Sequence, residues 1–351
     1  MQGSGMTEHP QRFLVIRLSS LGDIVHALPA VSALGETFPA AEIHWAVERR
    51  YAMLLEGNPF VHHLVEFNTL GWRGRLLSAV TLEEMVREIS ALRDVTYEAA
   101  IDFQGLWKSA GIARLSRAGR RVGFAEYWMR EPGAAALYTD RVSPRGRKHV
   151  IEMNLALVEQ LGARPGRWNF PLPRNPEDEN HVEKQLASRG VQDFIILNPG
   201  GGWKAKCWDP ENYAELIRRL EAGGSYQFLL TGSPGEEELI RRILAFAGPT
   251  RASYFPSTIG QFIALARRAR LLVGGDTGPL HLAAAVGTPV VAIYGPTHPD
   301  RNGPFSPQDI TLTNRGPINH TRRERNPSYL PGVSVEAVRE AIEKRLARVH
   351  G

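Results

Sequence analysis

The segment Asp276-Thr277-Gly278-Pro279-Leu280-His281 gathers a carboxylate, a hydroxyl and an imidazole around a glycine and a proline. Pro279 starts a helix, and the open amides of its first turn, with the helix dipole, suit a diphosphate. Gly278 lets an anion approach the backbone and Thr277 adds a hydroxyl donor, while His281 either faces that ligand or is structural. A second phosphate candidate is Asn198-Pro-Gly-Gly-Gly-Trp-Lys-Ala-Lys-Cys-Trp208, where glycines bare the backbone and two lysines neutralise charge. Near the amino end, Arg17-Leu-Ser-Ser-Leu-Gly-Asp23 offers Asp23 as a helix-starting carboxylate or as a proton acceptor for an attacking hydroxyl. After Leu230-Thr-Gly-Ser-Pro-Gly, Glu236, Glu237 and Glu238 either hold ribose hydroxyls or stabilise a helix start.

What the chain lacks narrows the chemistry. It contains no GxGxxG, Walker A, HExxH or GxSxG pattern, which disfavours a dehydrogenase, a P-loop NTPase, a zincin and a serine hydrolase. No two aspartates stand one residue apart, so the DxD element of metal-dependent glycosyltransferases is missing, and no metal or cofactor is expected. Cys207 is the only cysteine, which rules out an intrachain disulfide and fits a reducing cytoplasm. No apolar run reaches the ~20 residues that span a bilayer.

Charge adds a further hint. The net charge of +5 is modest, but Arg114, Arg117, Arg120 and Arg121 cluster, as do Arg141, Arg145, Arg147 and Lys148. Such patches suit an anionic partner, either a membrane headgroup or an acidic sugar. Nucleic acid ranks last, because the aromatic interleaving of its binding modules is absent.

The elements that must position these groups read as α/β. Strand candidates Phe13–Leu18, Glu42–Val47 and Ala99–Phe103 alternate with helical patterns in the first half. Phe194–Asn198, Tyr226–Thr231, Ala269–Val273 and Pro289–Tyr294 do so in the second. With 351 residues the chain is long enough for two domains, and the proline-rich Phe170–Asp178 reads as their linker. The expected division is 12–172, 173–330, and a closing helix 334–348 that packs back on the first domain, as such helices do in some two-domain proteins. Ligands of open α/β sheets bind outside the carboxyl ends of the strands, where all the segments above fall. Two such domains facing each other would set both groups of strand ends on one central cleft.

From about Arg12 to the final helix the chain resembles the ADP-heptose:lipopolysaccharide heptosyltransferases, glycosyltransferase family 9, most of all the type I branch. Ser19-Ser-Leu-Gly-Asp-Ile-Val-His-Ala-Leu-Pro29 is similar to the family's opening loop, Asp276-Thr-Gly-x-x-His281 to its donor-diphosphate motif, and Lys206-Cys-Trp208 to its Lys-x-Trp element. Ile101-Asp-Phe-Gln-Gly-Leu-Trp-Lys-Ser-Ala110, Trp72-Arg73 and Arg130-Glu-Pro132 resemble the type I acceptor domain. The resemblance implies a GT-B fold of two Rossmann-like domains, the acceptor on the first and ADP-heptose on the second. It implies inverting, metal-independent transfer of L-glycero-D-manno-heptose to Kdo2-lipid A, at the inner leaflet of the cytoplasmic membrane.

The same resemblance implies roles for residues. Asp23 is the catalytic base, and Ser19, Gly22, Gly201, Gly202, Lys206, Glu236 (or Glu237), Ser257, Asp276, Thr277, Gly278 and His281 contact the donor. Ser257 does so through backbone near the adenine. Arg73, Gln104, Lys108 and Arg130 bind the acceptor's anionic groups. One departure is the donor loop, where Gly201 and Gly202 replace the hydroxyl residues of the family. The competing readings are a GT-B transferase with another heptose acceptor or sugar donor, and a non-catalytic nucleotide-sugar or lipid-binding protein.

Overall fold

A computed structural model of the chain describes residues 11–72, 78–224, 226–313, 330 and 332–348. The chain divides into two compact units between Pro173 and Arg174.

The first unit runs β1 (Arg12–Ile16), α1 (Leu21–Thr37), β2 (Glu42–Glu48), β3 (His63–Phe67), α2 (Ala79–Arg93), β4 (Ala99–Asp102), α3 (Trp107–Leu115), β5 (Arg120–Phe124), β6 (Asp140–Val142) and α4 (Val150–Glu159). Its described strands form one parallel sheet in the order β3-β2-β1-β4-β5-β6. Leu14, Val15 and Ile16 are fully buried, which is why β1 reads as an unbroken apolar run rather than an alternation. The strand order reverses between β1 and β4, opening the crevice where open sheets of this kind take ligands.

The second unit repeats the plan with α5 (Pro176–Ser188), β7 (Phe194–Asn198), α6 (Pro210–Gly223), β8 (Gln227–Leu230), α7 (Glu237–Ala247), β9 (Ser253–Tyr254), α8 (Ile259–Ala266), β10 (Leu271–Gly275), α9 (Gly278–Ala285), β11 (Val290–Tyr294), α10 (Pro299–Asn302), β12 (Ile310–Thr313) and α11 (Val335–Ala347). The sheet order is β12-β11-β10-β7-β8-β9, again parallel and reversing between its first and fourth strands, β7 and β10. Both units therefore have the Rossmann strand order.

One expectation needs correction. Pro176 does not extend the linker: Asn175 accepts the Glu177 N–H at 2.8 Å and Pro176 opens α5, a position where its missing N–H costs nothing. The closing helix, expected to pack back on the first unit, has this setting within the second unit. Val338, Ala341 and Ile342 of α11 are buried in the second unit's own core, packed against α6 and β11. Arg345 Nε reaches the buried Asp309 carboxylate at 2.9 Å, and Trp208 Nε1 donates to the Val333 carbonyl at 2.9 Å just before the helix. The apolar stripe was legible in the sequence, but its partner was not.

Candidate functional site

In the second unit the loops after β7, β8, β10 and β11 converge on the carboxyl edge of the sheet. At the centre is Asp276, whose side chain is only 2% exposed. Its carboxylate accepts hydrogen bonds from Thr297 Oγ1 at 2.7 Å, Asn302 Nδ2 at 2.7 Å and the Lys206 ammonium, and it meets His281 Nε2 at 3.0 Å. A carboxylate has about four lone-pair directions, and these four partners occupy them. Burial alone would push the Asp276 carboxyl up, but the His281 bond and the Lys206 charge hold it well below the usual carboxylate range. Asp276 thus organises the site, with Lys206 fixed from one side and buried His281 from another.

Glycines make this convergence possible. A Cβ on Gly275 would lie 2.4 Å from the Lys206 carbonyl oxygen, and one on Gly201 would lie 2.9 Å from Thr277 Cγ2. Gly202 has open space around it. Thr277 is the N-cap residue of α9 and Gly278 its first residue, so the helix's first amides face outward at the β7/β10 reversal. Thr277 Oγ1 lies 3.3 Å from the Gly275 carbonyl and 3.5 Å from Asn198 Oδ1.

Glu236 accepts the Ser233 N–H at 2.7 Å and the Ser233 hydroxyl at 2.9 Å. Its carboxyl occupies the space beside Gly200, where a Cβ would lie 2.1 Å from Oε1. Glu237 turns instead to Arg241 on the outer surface of α7, at 3.2 Å. Ser257 sits in the loop after β9, on the same edge of the sheet.

In the first unit, Ser20 is the N-cap of α1 and Asp23 its third residue. Ser20 N–H and Oγ–H both donate to Asp23 Oδ2, at 3.0 and 2.8 Å. Arg17 Nη2 meets Asp23 Oδ1 at 2.6 Å, and Arg17 Nη1 donates to the Phe103 carbonyl at the end of β4. Burial pushes the Asp23 carboxyl up, but Arg17, the two Ser20 bonds and His26 outweigh it and bring it down to about 2. Asp23 therefore does cap the helix, and it is also held ionised. Ser19 and the buried Gly22 flank it.

The β4 loop is tied to the same place. Gln104 Oε1 accepts the Leu18 N–H at 2.9 Å. Buried Asp102 accepts the Gln104 and Gly105 amides at 2.8 and 3.2 Å and the Tyr138 hydroxyl at 2.6 Å. Lys108, in the first turn of α3, donates to Thr69 Oγ1 at 3.4 Å. Exposed Arg130 adjoins Glu131, whose carboxylate takes the Trp107 N–H at 2.7 Å. Gln104, Lys108 and Arg130 thus share the amino end of α3, whereas Arg73 lies outside the described residues.

Sequence reading missed Arg17, Asp102, Thr297 and Asn302. Arg17 carried a usable signal, a lone cation directly after an apolar strand; Thr297 and Asn302 carried none, because only the fold brings them to Asp276. The basic clusters are partly committed within the fold. Arg120 pairs with Asp140 at 2.7 Å, Arg141 with Glu126, and Arg147 with Glu159. Arg121 donates to the Leu137 and Ala118 carbonyls at 2.9 and 3.2 Å. Half of that charge is therefore used inside the fold. No helix among the described residues is long and apolar enough to cross a membrane.

The chain is similar to known proteins in sequence and in fold. The family model "Glycosyltransferase family 9 (heptosyltransferase)" matches residues 85–330. Lipopolysaccharide heptosyltransferase 1 of Pseudomonas aeruginosa is 30% identical over 304 residues, covering 86% of this chain and 83% of its own. Lipopolysaccharide heptosyltransferase 3 of Escherichia coli is 26% identical, over 93% of this chain and 95% of its own. The structure of E. coli heptosyltransferase WaaC with ADP superposes with a TM-score of 0.78 at 25% identity, over 95% of this chain and all of that one. The two Rossmann-like units are of GT-B class, and the chain belongs to glycosyltransferase family 9, the heptosyltransferases.

Proposed function

We propose that the chain moves L-glycero-D-manno-heptose from ADP-heptose to the Kdo of Kdo2-lipid A, with inversion at the anomeric carbon. The observation that carries the donor half is the Lys206 ammonium held beside the open first turn of α9 by Asp276. A diphosphate there meets Lys206, the Thr277 hydroxyl and the amides of α9, with the glycine loop Gly201–Gly202 against it. These groups bear the charge that develops on departing ADP, work that a divalent cation does in DxD enzymes. Asp276 and His281 act by fixing Lys206 and α9. Glu236 takes the ribose hydroxyls, favoured over Glu237 by its place beside Gly200. Backbone near Ser257 meets the adenine.

On the acceptor side, Asp23 receives the proton of the attacking Kdo hydroxyl, flanked by Ser19 and Gly22. The O–H bond breaks as the new C–O bond forms, and ADP leaves with the electrons of the old one. Gln104, Lys108, Arg130 and Arg73 grip the acceptor's carboxylates and phosphates. Since that acceptor is a lipid, the enzyme works on the cytoplasmic side, at the inner leaflet. Arg114, Arg117, Arg145 and Lys148 are the cluster residues suited to anionic headgroups.

The likeness to heptosyltransferase 3 favours one second reading, an acceptor that already carries heptose. Offering ADP-heptose with Kdo2-lipid A, and separately with the same lipid bearing one heptose, decides between them by product mass. Transfer to Kdo2-lipid A alone supports the proposal; transfer only to the heptosylated lipid replaces it with the second reading.

A further inference from the structure

Asp23 has two carboxylate oxygens, and the structure gives them different surroundings. Oδ2 takes both Ser20 donors, at 3.0 and 2.8 Å, which fills its lone-pair directions. Among the described residues Oδ1 takes Arg17 alone, at 2.6 Å, which leaves it one direction open. Arg17 is itself 9% exposed, and its other amino group is anchored on the Phe103 carbonyl at the end of β4. Its Nε–H is buried with no hydrogen-bond partner among the described residues. Asp23 is thus the principal compensation for a desolvated guanidinium, and the carboxylate is referenced to both strands that flank the β1/β4 reversal.

We infer that Arg17 is a positioning residue for the transfer, which makes Oδ1 of Asp23 the atom that takes the proton and fixes where that atom points. The inference rests on the reading of Asp23 as the base. In the step itself, the acceptor O–H breaks, its proton lands on Oδ1, and ADP carries away the electron pair of the breaking C–O bond. Protonation of Oδ1 costs Arg17 its counter-charge, so the resting pair drives the proton on to solvent and restores the carboxylate. A purely structural residue would not need this arrangement, since a well-packed apolar side chain holds a strand end at least as well.

The charged and titratable groups facing Asp23 are Arg17 from the end of β1, His26 from its own helix, and Tyr51 from the short turn Arg49–Leu54 after β2. Arg17 is the cation that keeps the Asp23 carboxyl down to about 2, so the acid limb of the wild-type rate lies below any practical assay pH. Removing that charge takes away the largest influence that lowers the carboxyl, and the limb moves up in pH.

The test is kcat/KM for the acceptor between about pH 4 and 9 in wild type, Arg17→Gln and Arg17→Lys, with ADP affinity and circular dichroism checking the fold. Arg17→Gln should bring a one-proton acid limb into the window and lower kcat about 10–100-fold at pH 8, the effect of a misplaced reacting atom. Arg17→Lys keeps the charge, so its acid side stays flat, but lysine loses the fork to Phe103 and kcat falls about tenfold. A flat profile in Arg17→Gln, or identical profiles in the two variants, overturns the inference. Should Arg17→Gln fail to fold, a wild-type kcat in Arg17→Lys overturns it by itself. Asp23→Asn separates the two layers: normal turnover there removes the base and Arg17's role together. A dead Asp23→Asn with an unmoved Arg17→Gln limb removes only the latter.

Discussion

A carboxylate that caps a helix and pairs with a buried arginine is a weak base when the enzyme rests. That suits a sugar transfer whose transition state is oxocarbenium-like, because the attacking hydroxyl becomes acidic only as its bond to the anomeric carbon forms. Asp23→Asn keeps the size and the capping capacity of the side chain while removing the charge. Turnover should fall by ~10²–10⁴-fold with ADP-heptose affinity nearly unchanged, as measured by steady-state rates and calorimetric titration. A variant within a few-fold of wild type would assign Asp23 to capping alone. Gly200 makes a second prediction at this scale. A methyl there would meet Glu236 Oε1 at 2.1 Å, the far end of a flexible side chain that can swing aside. Gly200→Ala should therefore weaken ADP-heptose binding about tenfold or more, one charge-assisted hydrogen bond, while leaving the melting temperature unchanged. Unaltered affinity would separate Glu236 from the ribose.

Elements were legible where burial is two-sided. β7 was read end to end, and the other central strands to within two residues at each end, because Ile195, Leu197, Val273 and Val291 sit in one core as continuous apolar runs. β3, β6, β9 and β12 were missed, being edge or near-edge strands of two to five residues with polar positions. β5 was hidden by Arg120 and Arg121, which looked like an exposed basic patch but begin a strand. The site loops were legible as glycine, proline and charge patterns, whereas Asp276's partners were not, since Thr297 and Asn302 stand 21 and 26 residues away. Two elements carry stability predictions. On α2, Glu88 is 7% exposed, and burial with Glu84 and Glu48 nearby pushes its carboxyl up to about 7 despite Arg49. A raised folded value means the fold is penalised as pH climbs from the unfolded value near 4.5 to about 7, and the penalty is constant above that. Glu88→Gln should stabilise the first unit at pH 8 by on the order of 1–3 kcal/mol and hardly at pH 5, as read by urea unfolding. Equal effects at both pH values would contradict the shift. On α11, Arg345→Ala strands the buried Asp309 carboxylate and should cost about 3–5 kcal/mol in unfolding of the second unit. A loss below 1 kcal/mol would mean that solvent reaches Asp309.

For the molecule as a whole, the same strand order occurs twice, and each sheet gathers charged groups at its own reversal: the Arg17–Asp23 pair after β1 and the Lys206–Asp276 pair after β7 and β10. The sequence showed the doubling through its alternating strands and helices, and it placed the candidate groups just after those strands. It could not show how many of them spend their hydrogen bonds on one another. The central claim is that side chains and amides of this chain suffice to activate the acceptor and carry the charge of departing ADP. The most direct test incubates the purified protein with ADP-heptose and Kdo2-lipid A in excess EDTA, following ADP release and the mass of the lipid. The account predicts stoichiometric ADP release and a lipid heavier by one heptose, at a rate that added magnesium leaves unchanged. Transfer abolished by the chelator and restored by magnesium, or ADP released without any gain in lipid mass, would contradict it.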